Sequence, residues 1–163
     1  MKVVYLLYAL FSVSVVAGSD LANPDNLQKD ERPVSPEQLT AIIGHANRML
    51  VTESLSKDAK KLFESRERKD LDALLTALSV AKPDGWFRCM CVGTPAVYIY
   101  KDEELLAWVA NHHGKSVRCS LWGSNARITD VETWLKWFDD RKIDGPRKEV
   151  DEMRKSDQQR IKD

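Results

Sequence analysis

The sequence predicts an α+β fold: a four-stranded antiparallel β-meander packed against flanking helices, after a signal peptide. Three observations lead there. From Trp86 to Leu121 apolar residues recur with a period of two, the repeat of a strand. On either side, Leu71, Leu74, Leu75 and Leu78, and then Val131, Trp134, Leu135 and Phe138, recur at helical spacing. Apart from Tyr5, Tyr8 and Phe11 near the start, every aromatic residue except Phe63 lies between Trp86 and Phe138. Large rings dominate burial, so the packed body centres on that stretch.

The chain has 163 residues, with 25 basic and 25 acidic side chains. Length and composition suit one ordinary domain. Zero formal net charge argues against a nucleic-acid binder that works through a general basic field. Residues 1–19 have the pattern of a secretory signal peptide: Lys2, an apolar run from Val3 to Val16, then Ala17-Gly18-Ser19. Cleavage after Ala17 and after Ser19 fit equally. A spanning helix needs ~20 apolar residues, and Asp20 comes too soon. The expected destination is outside the cytoplasm, periplasmic or secreted, with membrane contact confined to the transient signal peptide.

The elements follow in order. Residues 20–34 are polar, carry two prolines and read as a flexible arm. The single domain is expected over 35–145. Ser35-Pro36-Glu37-Gln38 is a helix start, with a capping serine, proline at the first helical position and glutamine three residues on. Leu39, Ile42, Ile43, Ala46 and Met49 or Leu50 continue it. Residues 51–66 fit either a helix or a hairpin, and the Ser/Thr-rich 52–58 favours strand-turn-strand. A helix over 70–80 ends at Lys82-Pro83-Asp84-Gly85. Strands are expected at 86–92, 95–101, 104–112 and 115–121, with turns at Gly93-Thr94, Asp102-Glu103 and His113-Gly114. Asp130 caps the next helix. Residues 146–163 form a charged tail, expected to be solvated.

Two-residue turns would pair Met90 with Val97, Val97 with Trp108, and Trp108 with Cys119. The neighbouring rows pair Arg88 with Ile99, Ile99 with Leu106, and Ala110 with Val117. One face would then hold Met90, Val92, Val97, Ile99, Leu106, Trp108, Ala110, Val117, Cys119 and Leu121, ready to pack on helices. The reverse face would mix Cys89, Cys91, Tyr98, Tyr100, Ala107, Val109, Asn111, Ser116 and Arg118. It carries too little charge for a solvated face, so the first helix or a partner is expected to cover part of it. A one-residue slip in any turn would exchange the faces beyond it.

Chemistry concentrates in few residues. Cys89 and Cys91 project from the same side of one expected strand, about 6.6–6.8 Å apart at Cα. That is near the limit for a disulfide. Cys119 falls on the core face as a buried thiol. His112-His113 adds two borderline ligands, so Cys89, Cys91, His112 and His113 are the metal candidates. Adjacent histidines on an extended strand point to opposite sides, however, and Cys-x-Cys lacks the loop of structural zinc sites. For nucleophilic catalysis, Cys91 or Ser120 would need His113 and an acid, and Asp102 lies at the far end of the meander. No G-x-S-x-G, H-E-x-x-H, G-x-G-x-x-G or P-loop sequence occurs. Trp122 follows the last strand, where its ring has a route to solvent. The sequence identifies no cofactor and no catalytic residue.

The reading these features favour is a non-enzymatic binding or interaction module. Its expected working surface is Cys89, Cys91, Tyr98, Arg118 and His113, and its expected partner a protein or a small anionic ligand meeting Arg118. The alternatives are a soft-metal or thiol-redox protein using Cys89 and Cys91, and a hydrolase with an unrecognised site.

Overall fold

The computed structural model describes residues 33–81 and 91–161. The expected signal peptide at 1–19, most of the expected arm, and Trp86, Arg88, Cys89 and Met90 lie outside these residues. α1 (Pro36–His45) starts where the capping sequence places it: the Ser35 hydroxyl accepts from the Gln38 amide at 3.2 Å. The helix buries Leu39 and Ile43 and ends at Ala46. Met49 and Leu50 do not continue it. They open β1 (Arg48–Thr52), which pairs with β2 (Lys61–Ser65) in the hairpin favoured for 51–66. α2 (Arg68–Ala77) buries Leu71, Leu74 and Ala77.

β3 (Ala96–Lys101), β4 (Glu104–His112), β5 (Ser116–Cys119) and β6 (Ala126–Arg127) follow. The sheet is antiparallel with six strands rather than four, in the order β2-β1-β3-β4-β5-β6. A strand has two edges, and those of β3 are taken by β1 and β4. On the β1 edge Val51 pairs with Val97 and Met49 with Ile99, the places expected for Met90 and Arg88. Val92 is exposed rather than part of the core.

The register corrects the expected faces. Lys101 pairs with Glu104 across the Asp102-Glu103 turn, but Leu106 is an extra residue, so Ile99 meets Ala107 and Tyr98 meets Trp108. A bulge of this kind bends the strand and shifts everything beyond it by one. The β4–β5 loop then has three residues, His113 to Lys115, which shifts the register again: Val109 meets Cys119 and Ala110 meets Arg118. The two slips cancel in β5, so Val117 and Cys119 keep the core face while β4 turns over. Ala107 and Val109 enter the core; Trp108 and Ala110 leave it for a second cluster with Leu55, Leu105 and Tyr98.

One core layer unites Val97, Ile99, Val109, Val117 and Cys119 with Leu39, Ile43, Leu71, Leu74 and Trp134. α1 therefore packs on this side. The reverse face is covered instead by the β1–β2 loop through Leu55. α3 (Val131–Asp139) is capped by Asp130, whose Oδ1 accepts from the Thr133 amide at 3.0 Å. Its Trp134 and Trp137 stack with ring centroids 5.7 Å apart. Trp122 is fully buried rather than displayed in a loop. Much of the expected solvated tail forms α4 (Gly145–Arg160), with Pro146 and Val150 buried. Among the described residues no helix is long and apolar enough to cross a membrane.

Candidate metal centre

The site lies where β4 ends. His113 and Gly114 both have positive φ, 53° and 64°, the pattern a type I′ turn requires. A left-handed His113 breaks strand alternation. The two imidazoles therefore do not point to opposite sides, as an extended pair would; their ring centroids lie 4.2 Å apart. Gly114 is dictated by contact as well as by φ. A Cβ there would sit 2.3 Å from Val150 Cγ2 on α4, so only glycine lets the helix close over the turn.

The segment 91–95 reaches the same end of the sheet and is fixed there by Asn111. The Asn111 amide donates to the Pro95 carbonyl at 2.9 Å, and its Nδ2 donates to the Thr94 carbonyl at 2.7 Å. Gly93 passes so close to β4 that a Cβ would lie 2.6 Å from the Asn111 carbonyl oxygen. Cys91, exposed, thereby arrives beside the histidines. Its Sγ is 3.4 Å from Nε2 of His113. One ligand atom from each of Cys91, His112 and His113 lies within 4.8 Å of the others.

The hydrogen bonds around the rings assign their tautomers. His113 Nδ1 is 2.7 Å from Glu149 Oε1 on α4. An ionised carboxylate only accepts, so Nδ1 carries a proton, and in the neutral ring Nε2 keeps a lone pair. At His112 the Ser116 hydroxyl gives its proton to the His112 carbonyl at 3.2 Å. It can then only accept from Nδ1, also 3.2 Å away. His112 Nε2 keeps its lone pair too, and it is buried with no hydrogen-bond partner among the described residues. Burial first, then the neighbouring His113 and Arg118, lower the His112 pKa to about 4, while Glu149 acts in the opposite direction. The ring is neutral at ordinary pH.

The other candidates are not part of this cluster, although Arg118 is near enough to His112 to act on its charge. Tyr98 stands opposite Trp108, four residues along β4 from His112 and so roughly 14 Å away. It lines a separate cavity of about 500 Å³ with Arg48, Leu50, Tyr100 and Trp108. Arg118 is buried on the reverse face, and its Nε donates to Asn125 Oδ1 at 3.4 Å. Cys119 is fully buried on the core face, as expected. Cys89 lies outside the described residues.

Sequence reasoning did not single out Glu149, Ser116 or Asn111 as parts of the site. Ser116 had a legible signal, four residues from His112 across a tight turn. Glu149 had none, since it is 36 residues from His113 on a helix with little apolar pattern. A groove of about 390 Å³, lined by Thr94, Pro95, Ile143, Pro146 and Glu149 among others, shares Glu149 with the cluster. No protein-family model, curated protein or solved structure matches this chain.

Proposed function

We propose that the protein is an exported metal-binding protein whose site is formed by Cys91, His112 and His113. The ion is zinc or a similar borderline divalent metal, which suits one thiolate and two imidazoles. One observation carries the reading. Both rings hold their Nδ1 proton against an outer acceptor, Glu149 or Ser116, and keep Nε2 for coordination. Metal-bound histidines are typically oriented in this way by their second nitrogen.

The spacing supports the same choice. A sulfur at ~2.3 Å and a nitrogen at ~2.0–2.1 Å from a tetrahedral centre lie about 3.5–3.6 Å apart. Cys91 Sγ and His113 Nε2 are 3.4 Å apart. A linear two-coordinate ion would hold them above ~4 Å. Cys89, two residues before Cys91 in sequence, is the candidate for a fourth donor. The protein is then a binding module whose ligand is an ion, rather than one whose surface centres on Tyr98 and Arg118. The pattern at residues 1–19 supports action outside the cytoplasm.

Titrating chelator-stripped protein with zinc tests this. One equivalent binds to the wild type. His112→Gln, His113→Gln and Cys91→Ser each weaken binding at least tenfold, and Glu149→Gln weakens it roughly 10–100-fold through the outer hydrogen bond. Cys89→Ser reads whether that thiol completes the shell. Absence of stoichiometric binding, or binding indifferent to His112 and His113, would sink the reading.

A further inference from the structure

The same corner of the molecule is arranged for a second chemistry. Cys91 Sγ stands 3.4 Å from His113 Nε2, and His113 Nδ1 stands 2.7 Å from Glu149 Oε1. The carboxylate fixes the proton on Nδ1, so Nε2 is the nitrogen able to take a proton from sulfur. Nucleophile, base and orienting acid stand in the order that thiol-based acyl transfer needs. Three elements far apart in the chain contribute: the segment before β3, the β4–β5 turn and α4. Cys91 is exposed. A groove lined by Pro95, Ile143 and Pro146 among others includes Glu149 in its wall.

We propose that in the metal-free protein Cys91, His113 and Glu149 form a nucleophilic relay that accepts acyl groups from carboxylic esters. The thiol proton passes to His113 Nε2 as Cys91 Sγ bonds to the ester carbonyl carbon. The tetrahedral intermediate collapses, the carbon–oxygen ester bond breaks, and the departing alkoxide takes the proton back from Nε2. A thioester remains on Cys91. Water, giving a proton to the same nitrogen, then attacks the thioester carbonyl. The carbon–sulfur bond breaks, the carboxylic acid leaves, and Cys91 Sγ takes the proton back from Nε2. No oxidant or reductant is involved. Glu149 is a positioning residue: it holds the tautomer and touches no reacting atom. The relay does not depend on the metal reading, although zinc and an acyl group would compete for the same sulfur.

The test uses chelator-treated full-length protein and p-nitrophenyl acetate. Nitrophenolate release and the mass of the Cys91 peptide are followed together, and unfolding midpoints check that each variant is folded. The relay predicts one acetyl group on Cys91. It also predicts a rate about a hundredfold above that of His113→Gln, the lower end of what a positioned base contributes. Glu149→Gln, whose amide oxygen still accepts from Nδ1, retains more of the rate than Glu149→Leu at equal saturation by the probe. Cys119→Ser leaves the acetylated position unchanged. Wild-type protein acetylated no faster than His113→Gln, or acetylated only elsewhere, overturns the relay. Zinc binding with an inert Cys91 overturns the relay alone. Rapid acetylation that saturating zinc does not suppress supports the relay and counts against the metal reading.

Discussion

Asn111 accepts a hydrogen bond from the indole Nε1–H of Trp134 at 2.9 Å, with both side chains fully buried. The contact joins β4 to α3 through the core. The same Asn111 side chain donates to the Thr94 carbonyl and so holds the segment that delivers Cys91. Stability and site geometry meet in this residue.

Asn111→Leu should therefore be costly. It strands the Trp134 N–H in the core and removes the side-chain donor to Thr94. Each unsatisfied buried group costs about 1–3 kcal/mol, so a loss of about 2–4 kcal/mol is expected in urea unfolding. A change below about 0.5 kcal/mol would contradict the role given to this residue.

The turn beneath α4 makes a separate prediction. Gly114→Ala places a methyl group against Val150 and imposes left-handed backbone on a residue with a Cβ, which costs about 1–2 kcal/mol by itself. The expected loss exceeds that figure because of the contact. Adding Val150→Ala, which removes Cγ2, should recover part of the loss introduced by Gly114→Ala, leaving the backbone cost. A double-mutant cycle by thermal or urea unfolding reads the coupling. Strictly additive effects would show that the two positions do not meet.

Acid should loosen α4. Glu132 on α3 accepts from Arg147 at 2.9 Å and from Arg154 at 3.0 Å. The bond from Arg147, then that from Arg154, lowers its pKa below the ordinary 4.5. A carboxyl with a lowered folded pKa contributes stability that is present above pH 4.5 and is lost as pH falls through the folded value. The pair is largely exposed, so the effect is local and salt-sensitive. Amide exchange in α4, corrected for intrinsic pH dependence, should accelerate in wild type as pH falls below 4.5 and through the lowered value of Glu132. Glu132→Gln should already show the faster exchange at pH 6. Equal protection of α4 in wild type and Glu132→Gln at pH 6 would contradict this.

Much of the fold was legible because its signals are local. Ser35 and Asp130 cap the helices as their side-chain chemistry predicts, and the leucine stripe of α2 faces the core. The faces of β4 were not legible, since a bulge at Leu106 leaves no mark in an apolar run. The extra loop residue, Lys115, also follows a His-Gly pair that fits a shorter turn. The two slips cancel in β5, so Cys119 landed on the expected side although its partner changed from Trp108 to Val109.

At the site, Cys91, His112 and His113 stand out by residue type alone. Their convergence depends on a positive φ at His113 that simple alternation does not anticipate. Glu149 was invisible because its contact is tertiary. It sits among charged residues on α4, and only the packing of Val150 on Gly114 brings it to the ring.

The most direct measurement is X-ray absorption on zinc-loaded protein. Coordination by Cys91, His112 and His113 predicts a sulfur at ~2.3 Å together with imidazole nitrogens at ~2.0–2.1 Å, and a sulfur shell that diminishes in Cys91→Ser. A shell of oxygen and nitrogen without sulfur, or one unchanged by replacing both His112 and His113, would contradict it.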